Sequence, residues 1–577
     1  MLGVAGAASL VDCVDTADSE PETTKRSTPP ARETYPKIQG YAWPPSVGYT
    51  LTLYVSTRAP QFVVEVYGLR GPRRLALLGP FDGVSAPRGT PVSTWEWARY
   101  DVPIDLPSGV YTAVLRGCDA AGALLDAEPQ LATTTGEAKV LFVVRSTATA
   151  PILYKLPLFT YHAYNEAGGG CLYGVWEHVQ VALRRPGGGT GHTDVGHDMG
   201  QIFVDGLTDP FGSTHDLQWN TFEHWDAKMI RWLYAHGHEL DFCTDWDLHT
   251  DPGLLGPYRL LVNAGHDEYW STAMRDHVEA FLDAGGNVAW FGGNTCFWHV
   301  EVDVDHPAVH CNKVNNYADH WNLLGRPENS MTGMSMRAGG YNAHVREPLG
   351  YTIVDLASWV FAGVEATSFG ESHALIGYEV DGAPVDASLQ LTYADDTPPN
   401  FQVLARAVLP PGNPSPDGWM TPSPPQPGVA MIGLFTRTGT VFNAGVTDWA
   451  RVLAEGDVAT ARITKNVIDR LSTRRVTVAL GDPIANVPDP IAPPDAVQAL
   501  FIEPIVAFAD CGTCLVVAVA DGNLYELVRT DGGFRRDVLP YFGVNRQSTV
   551  VALVPISDGV AVIVNDGRTV ELSWSAA

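Results

Sequence analysis

Two hydrophobic periods alternate along the middle of the chain. They are clearest between Arg259 and Trp298, RLLVNAGHDEYWSTAMRDHVEAFLDAGGNVAWFGGNTCFW. Arg259–Ala264 is a short, nearly continuous apolar run after Pro257, the pattern of a strand buried on both faces of a parallel sheet. Ser271 is a good N-cap, and Met274, Val278, Phe281 and Leu282 then share one helical face. Gly285-Gly286 stops that helix, since glycine takes the left-handed position past a helix end at little cost. Asn287–Phe291 reads as the next strand and Gly292-Gly293-Asn294 as the next loop. Ligands of such sheets bind at the carboxyl ends of the strands. The pattern therefore predicts that His266, Asp267, Glu268 and Asn294 converge on one crevice. The plainer alternative is that Asp267 and Glu268 only charge the first helical turn.

The same alternation extends over residues 147–478. Asn220-Thr-Phe-Glu223 predicts a capped helix whose apolar face is Phe222, Trp225, Met229, Trp232 and Leu233, ended by Gly237. Glu239–Cys243 is the strand after it, and Val429–Thr436 with Thr440–Ala444 reads as a closing hairpin. The expectation is an α/β central domain with a parallel sheet. Before it, residues 37–146 carry the strand-like runs Tyr49–Ser56, Phe62–Tyr67, Tyr111–Arg116 and Ala138–Arg145, which predict an immunoglobulin-like β-sandwich. Residues 1–36 are polar and proline-rich, the composition of a disordered segment. Residues 479–496 read as a proline-rich linker, and Pro410 to Gly428 as a surface loop. In 497–577, VADGNLYEL and VNDGRTVEL recur 45 residues apart (Asp521 and Asp566). This suggests a small β module of two propeller-blade-like repeats, too few to close a ring.

Composition narrows the partners. A net charge of −28 argues against nucleic acid and anionic membrane. No apolar run is long enough for a membrane span. The N-terminus lacks a basic region before its short apolar stretch, so a cytoplasmic protein is expected. Eight scattered cysteines do not form a disulfide scaffold. Only Cys511-Gly-Thr-Cys514 has a suggestive spacing, and without a second ligand pair nearby it reads as structural.

Three chemistries compete. Glu268, with His266 two residues earlier, and the upstream Tyr161, Tyr164 and Tyr173 around Gly168-Gly-Gly170 are candidates for an oxygen-ligated metal. From spacing alone those tyrosines read as packing residues. His236 with His238, His192 with His197, and His306 with His310-Cys311 are zinc-ligand pairs in type but not in spacing. Cys296 lies near the place where glutamine-amidotransferase-like folds carry a nucleophile, but three residues late and without an evident His–Glu pair.

Taken in order, AYNEAGGGCLY (163–173), ELDFCTDWDLH (239–249), NAGHDEYW (263–270), FGGNTCFW (291–298), ASWVFAGVEATSFGESHALIGYEVDG (357–382) and TVFNAGVTDWARVL (440–453) resemble the large (beta) subunit family of N,N-dimethylformamidase. The resemblance covers about 35–475. It implies a glutamine-amidotransferase-like sheet and hydrolysis of a linear amide at a mononuclear ferric ion, with metal-activated water attacking the carbonyl. It also implies Tyr164, Tyr173 and Glu268 as metal ligands, with Tyr161 competing for the place of Tyr164. His266, Asn294 and Glu379 would be catalytic groups, Glu379 as base and the other two as hydrogen-bond donors to the oxyanion. Asp267 stands where the family pattern has proline. A small amide substrate, a small partner subunit and homo-oligomerisation follow as expectations. Two other readings are a catalytically silent binding or assembly protein of this family, and a cysteine amidase using Cys296.

Overall fold

The computed structural model describes residues 38–125, 138–145, 150–173, 178–191, 221–313, 319–342, 348–410, 428–473, 475–480, 495–498, 504–511, 514–519, 523–530, 533–539, 550–556, 559–564 and 569–575. The expected disordered segment 1–36, Asn220 of the helix cap, the Pro410–Gly428 loop beyond its ends, most of the linker, and His192 and His197 fall outside them.

The described chain is mostly β, built from large sheets with few helices. At its centre is a nine-stranded mixed sheet. Five strands run parallel: Leu240–Thr244, Ile152–Leu156, Leu260–His266, Asn287–Gly293 and Thr440–Asn443, in that spatial order. Numbered along the chain, their order is 2-1-3-4-5. Val429–Thr436, Gln402–Val408, Tyr351–Ile353 and Ser368–Phe369 continue the sheet antiparallel. The expectation of a parallel sheet is thus corrected. The hairpin Val429–Thr436/Thr440–Asn443 forms as read, but its second strand also pairs in parallel with Asn287–Gly293, so the hairpin joins the two halves.

Alternate residues of the parallel strands enter opposite layers. Ile152, Tyr154, Leu260, Val262, Ala289 and Phe291 meet the helices Asp226–Ala235 and Val458–Thr473 on one face. Leu153, Leu261, Val288 and Trp290 meet Thr272–Asp283 on the other. This is the period-2 rule of a sheet covered on both sides. The Ser271 hydroxyl caps the latter helix as expected, accepting the Met274 N–H at 3.3 Å. The earlier helix starts later than the capping pattern implied, at Asp226, without a side-chain cap. Asp226 is drawn into the core, where it accepts hydrogen bonds from Tyr154 (2.9 Å) and Tyr161.

The N-terminal part is a two-sheet β-sandwich. A five-stranded sheet (Ser46–Val47, Lys139–Val144, Gly109–Cys118, Gln61–Gly68, Arg74–Asp82) faces a three-stranded one (Ile38–Ala42, Thr50–Thr57, Ala98–Pro103). Leu51, Leu53, Val55, Phe62, Val64 and Leu115 fill the space between them. The last part of the chain forms two four-stranded antiparallel sheets, one for each sequence repeat. Arg475–Leu480, which runs into the start of the expected linker, pairs with Thr569–Ser575 and completes the second of these. The first packs on the central sheet, with Gln402 donating to the Tyr525 hydroxyl at 2.7 Å and Arg470 paired with Glu526 at 3.2 Å.

Candidate active site

The site grows from the carboxyl ends of two adjacent parallel strands. Leu260–His266 and Asn287–Gly293 pair so that His266 lies opposite Gly293. Glu268 and Asn294 therefore issue side by side. The glycines are required here: a Cβ on Gly292 would lie 2.4 Å from the Gly265 carbonyl oxygen, and one on Gly293 2.8 Å from that of Glu379. Asn294 itself has φ 53°, a left-handed conformation that asparagine tolerates better than most residues. Its N–H donates to Asp381 at 2.8 Å, which fixes the turn.

The tyrosines come from the loop after strand Ile152–Leu156. In sheets of order 2-1-3-4-5 the ligand crevice opens between the first and third strands, and Tyr164 and Glu268 follow these two. The short helix Leu158–Ala163 is fully buried, and Tyr164 caps its end. The loop then turns back, with the Gly169 N–H on the Glu166 carbonyl (2.9 Å) and the Leu172 N–H on that of Ala163 (3.0 Å). Arg185 closes it from below. Its guanidinium donates to the carbonyls of Ala182 (3.0 Å), Ala167 (2.8 Å), Gly170 (3.3 Å) and His162 (2.7 Å).

All six residues expected from the resemblance meet. The hydroxyls of Tyr164 and Tyr173 lie 2.8 Å apart, and 2.9 and 2.8 Å from Glu268 Oε2. Their rings stack with centroids 4.2 Å apart. His266 Nε2 is 2.8 Å from Glu379 Oε2 and 3.4 Å from Glu268 Oε2. Asn294 Nδ2 is 3.2 Å from Glu379 Oε2 and 3.4 Å from the His266 ring nitrogen. Glu268 Oε1 accepts the Trp298 indole N–H at 2.8 Å, and the Glu268 backbone N–H donates to Thr160 at 3.0 Å. Burial lowers the basicity of His266, but the carboxylates of Glu379 and Glu268 more than offset it and raise its pKa to about 9. Burial, and then the Glu268 carboxylate, push both phenols well above their usual range.

Other candidates separate from this cluster. Tyr161 points to Asp226, and it is Tyr164 that faces Glu268. Asp267 turns away from the crevice, against the strand-end reading. It lies between Lys155 (2.8 Å) and Asn263, with the Trp270 indole at 3.1 Å. Cys296 is fully buried among apolar residues, and burial pushes its thiol up, the setting of an inert thiol. His236 bonds the Trp232 carbonyl at 2.8 Å, and His306 is exposed. Two participants were not anticipated. The Tyr269 hydroxyl donates to that of Tyr173, and Lys313 Nζ lies 3.0 Å from the Tyr269 oxygen and 3.0 Å above the centre of the Tyr173 ring. Tyr269 directly follows Glu268, a signal that could have been used, whereas Lys313 stands in no local motif.

Among the described residues no group of three or more His, Cys, Asp or Glu side chains is placed to hold a metal ion. The donor set that fits one is the tyrosine–glutamate triangle, with edges of 2.8, 2.9 and 2.8 Å. Oxygens at about 2.0 Å from a cation and at right angles to each other are about 2.8 Å apart. Such hard donors suit a hard cation.

The family model described as N,N-dimethylformamidase beta subunit-like, C-terminal, matches residues 68–462. The chain belongs to this family. All six site residues fall within the matched span. Among curated proteins, the N,N-dimethylformamidase beta subunit of Alcaligenes sp is 24% identical over 209 residues, which cover 32% of this chain and 26% of that protein. The matched part of this family member thus spans about a quarter of that relative's length. No helix among the described residues is long and apolar enough to cross a membrane.

Proposed function

We propose that this dimethylformamidase-like protein hydrolyses the C–N bond of a small linear amide, with a single ferric ion held by Tyr164, Tyr173 and Glu268. The observation that carries the reading is the junction of that oxygen triangle with His266, Glu379 and Asn294 in one buried cluster. When bound, the cation supplies Lewis acidity and lowers the pKa of water. Two phenolates and a carboxylate balance three positive charges, which favours the ferric state over softer or less charged ions.

The chain's own groups do the rest. Trp298 fixes one oxygen of Glu268 and leaves the other toward the tyrosines. His266 Nε2 and Asn294 Nδ2 donate hydrogen bonds to the amide oxygen as negative charge develops on it. Glu379 Oε2, within reach of both, accepts a proton from the attacking water and returns it to the leaving nitrogen. The products are a carboxylic acid and an amine. The side chains of His266, Glu268 and Glu379 are at most 5% exposed, which suits a small substrate and excludes a polypeptide lying across the surface.

The same reading takes the 2-1-3-4-5 sheet as glutamine-amidotransferase-like, the N-terminal sandwich as immunoglobulin-like, and 37–146, 147–478 and 497–577 as the domains. Because the relative is named as a beta subunit, a small partner subunit and a homo-oligomer are part of the proposal. The test is metal content and the visible spectrum of the purified protein, followed by amine release from small formamides and acetamides. About one iron per chain, a phenolate-to-iron absorption band, and hydrolysis abolished by Glu379→Gln are expected. Protein that stays colourless, iron-free and inactive after reconstitution would overturn the proposal in favour of a silent binding member of the family.

A further inference from the structure

Cys511 and Cys514 lie beyond the span matched by the family model, which ends at residue 462, and no step above uses them. They flank the connection between the strands Ile505–Asp510 and Cys514–Val519. Asp510 pairs with Leu515, so Cys511 and Cys514 are the next pair outward, separated in sequence only by Gly512 and Thr513. The Cys511 N–H donates to the Cys514 carbonyl at 2.9 Å, which holds the two residues directly opposite each other. Opposed residues of an antiparallel pair have Cα atoms about 4.5–5.5 Å apart. A hydrogen-bonded pair such as this one lies at about 5.5 Å, within the about 4.4–6.8 Å that a disulfide spans.

The two thiols differ in access. Both are free, Cys511 partly exposed and Cys514 buried. The neighbouring thiol lowers the pKa of Cys511, and the neighbouring thiol, then burial and then Glu526 raise that of Cys514. The outer sulfur is therefore the one that a small disulfide reaches first, with the inner one behind it. The other described cysteines, Cys118, Cys171, Cys243, Cys296 and Cys311, are buried.

We propose that Cys511 and Cys514 form a thiol–disulfide exchange site for low-molecular-weight disulfides, with Cys511 as the attacking and Cys514 as the resolving sulfur. The Cys511 thiolate attacks one sulfur of the small disulfide, forming a mixed disulfide and releasing one thiolate. That thiolate takes up the Cys514 proton. The Cys514 sulfur then attacks the Cys511 sulfur and expels the second small thiolate, which is protonated by water. The protein loses two electrons and two protons, and the disulfide gains both as two thiols.

The test uses the full-length chain with Cys13→Ser, so that this thiol does not compete. It is exposed to glutathione disulfide, quenched in acid, alkylated and mapped by mass spectrometry. An internal Cys511–Cys514 disulfide that reduced glutathione reverses is expected. Cys514→Ser should stop at a glutathione adduct on Cys511, and Cys511→Ser should react about tenfold more slowly. The proposal fails if both thiols survive excess glutathione disulfide. It also fails if only the mixed adduct accumulates in the parent protein, or if Cys511→Ser reacts at the parent rate. Thermal midpoints of the variants exclude unfolding as the source of a difference.

Discussion

Replacing Arg185 by Met should loosen the loop that carries both tyrosines. Arg185 is 1% exposed, and its guanidinium serves four described carbonyls, one (His162) in the last turn of the helix and two (Ala167 and Gly170) between the helix end and Tyr173. Met fills similar volume but donates nothing. The two shortest bonds, at 2.7 and 2.8 Å, are charge-assisted and hold separate points of the loop. Each is worth about 1.5–3 kcal/mol, and the contact at 3.3 Å adds less. Water admitted to the freed carbonyls recovers part of the loss, leaving about 3–5 kcal/mol, large for one substitution. The loss is confined to one segment, so the suitable assay is hydrogen exchange by mass spectrometry rather than a global melt. At 1.4 kcal/mol per tenfold, amides in 158–173 should exchange roughly 10² to 4 × 10³-fold faster, while those of the 272–283 helix stay unchanged. Arg185→Lys, with one point charge in place of a fork, should fall between. If exchange in 158–173 changes by less than about threefold, the loop is held by its other contacts and the reasoning is wrong.

Three further outcomes are expected. Trp298→Phe removes the N–H that orients Glu268 and should weaken iron binding roughly 10–100-fold, measured by competition with a chelator; unchanged affinity would mean that the indole only packs. Lys155→Met strips the cation from between Asp245 and Asp267 and should cost about 3–5 kcal/mol in denaturant titrations, because two buried carboxyls lose their partner. In metal-free protein, stability should fall between pH 6.5 and 9. Burial raises the carboxyls of Asp226, Asp245 and Asp381 to about 7 from 3.8, and each then contributes stability that is complete below about pH 4 and lost as pH rises through 7. His266, raised to about 9, contributes stability that is complete below 6.5 and lost by 9. His162 and His320, pushed down by burial, act in the opposite sense, but their effect ends by 6.5. A denaturation midpoint that rises over this interval, or a pH slope between 4 and 7 that Asp226→Asn leaves unaltered, would contradict the assignment.

The legible part of the site is the part written in local pattern. His266, Glu268 and Asn294 could be placed because two apolar runs end in polar loops, and parallel strands bring such ends together. The register sets His266 opposite Gly293. Asp267 was misread from the same rule. In an extended segment successive side chains point to opposite sides, and Lys155, buried in the neighbouring strand, takes the acid that faces inward. Tyr164 and Tyr173 could be found only through the resemblance, since nothing in their spacing tells which of three tyrosines faces Glu268. The choice is made far away in sequence, by Asp226 binding Tyr161. Lys313 is illegible for the same reason, as its partners Tyr269 and Tyr173 are distant in the chain. In the fold, the period of the apolar runs gave the parallel strands, but the antiparallel extension was missed. A fully buried run such as Val429–Thr436 carries no record of its neighbour's direction.

The sandwich does more than precede the sheet. A Cβ on Gly168 would lie 2.7 Å from Pro91 N and from Thr90 C, so the turn between the tyrosines rests directly on the sandwich's 90–97 segment. Pro91 accepts the Ala182 N–H at 2.8 Å, and Ala167 packs with Trp95 and Trp97. In evolutionary terms the two parts form a single unit of inheritance. Recombination that joined this sheet to another sandwich would exchange the mould of the tyrosine turn, and mutations at Gly168 would be filtered by what stands at Thr90 and Pro91. Drift in an apparent accessory module is thereby constrained by a site it never enters.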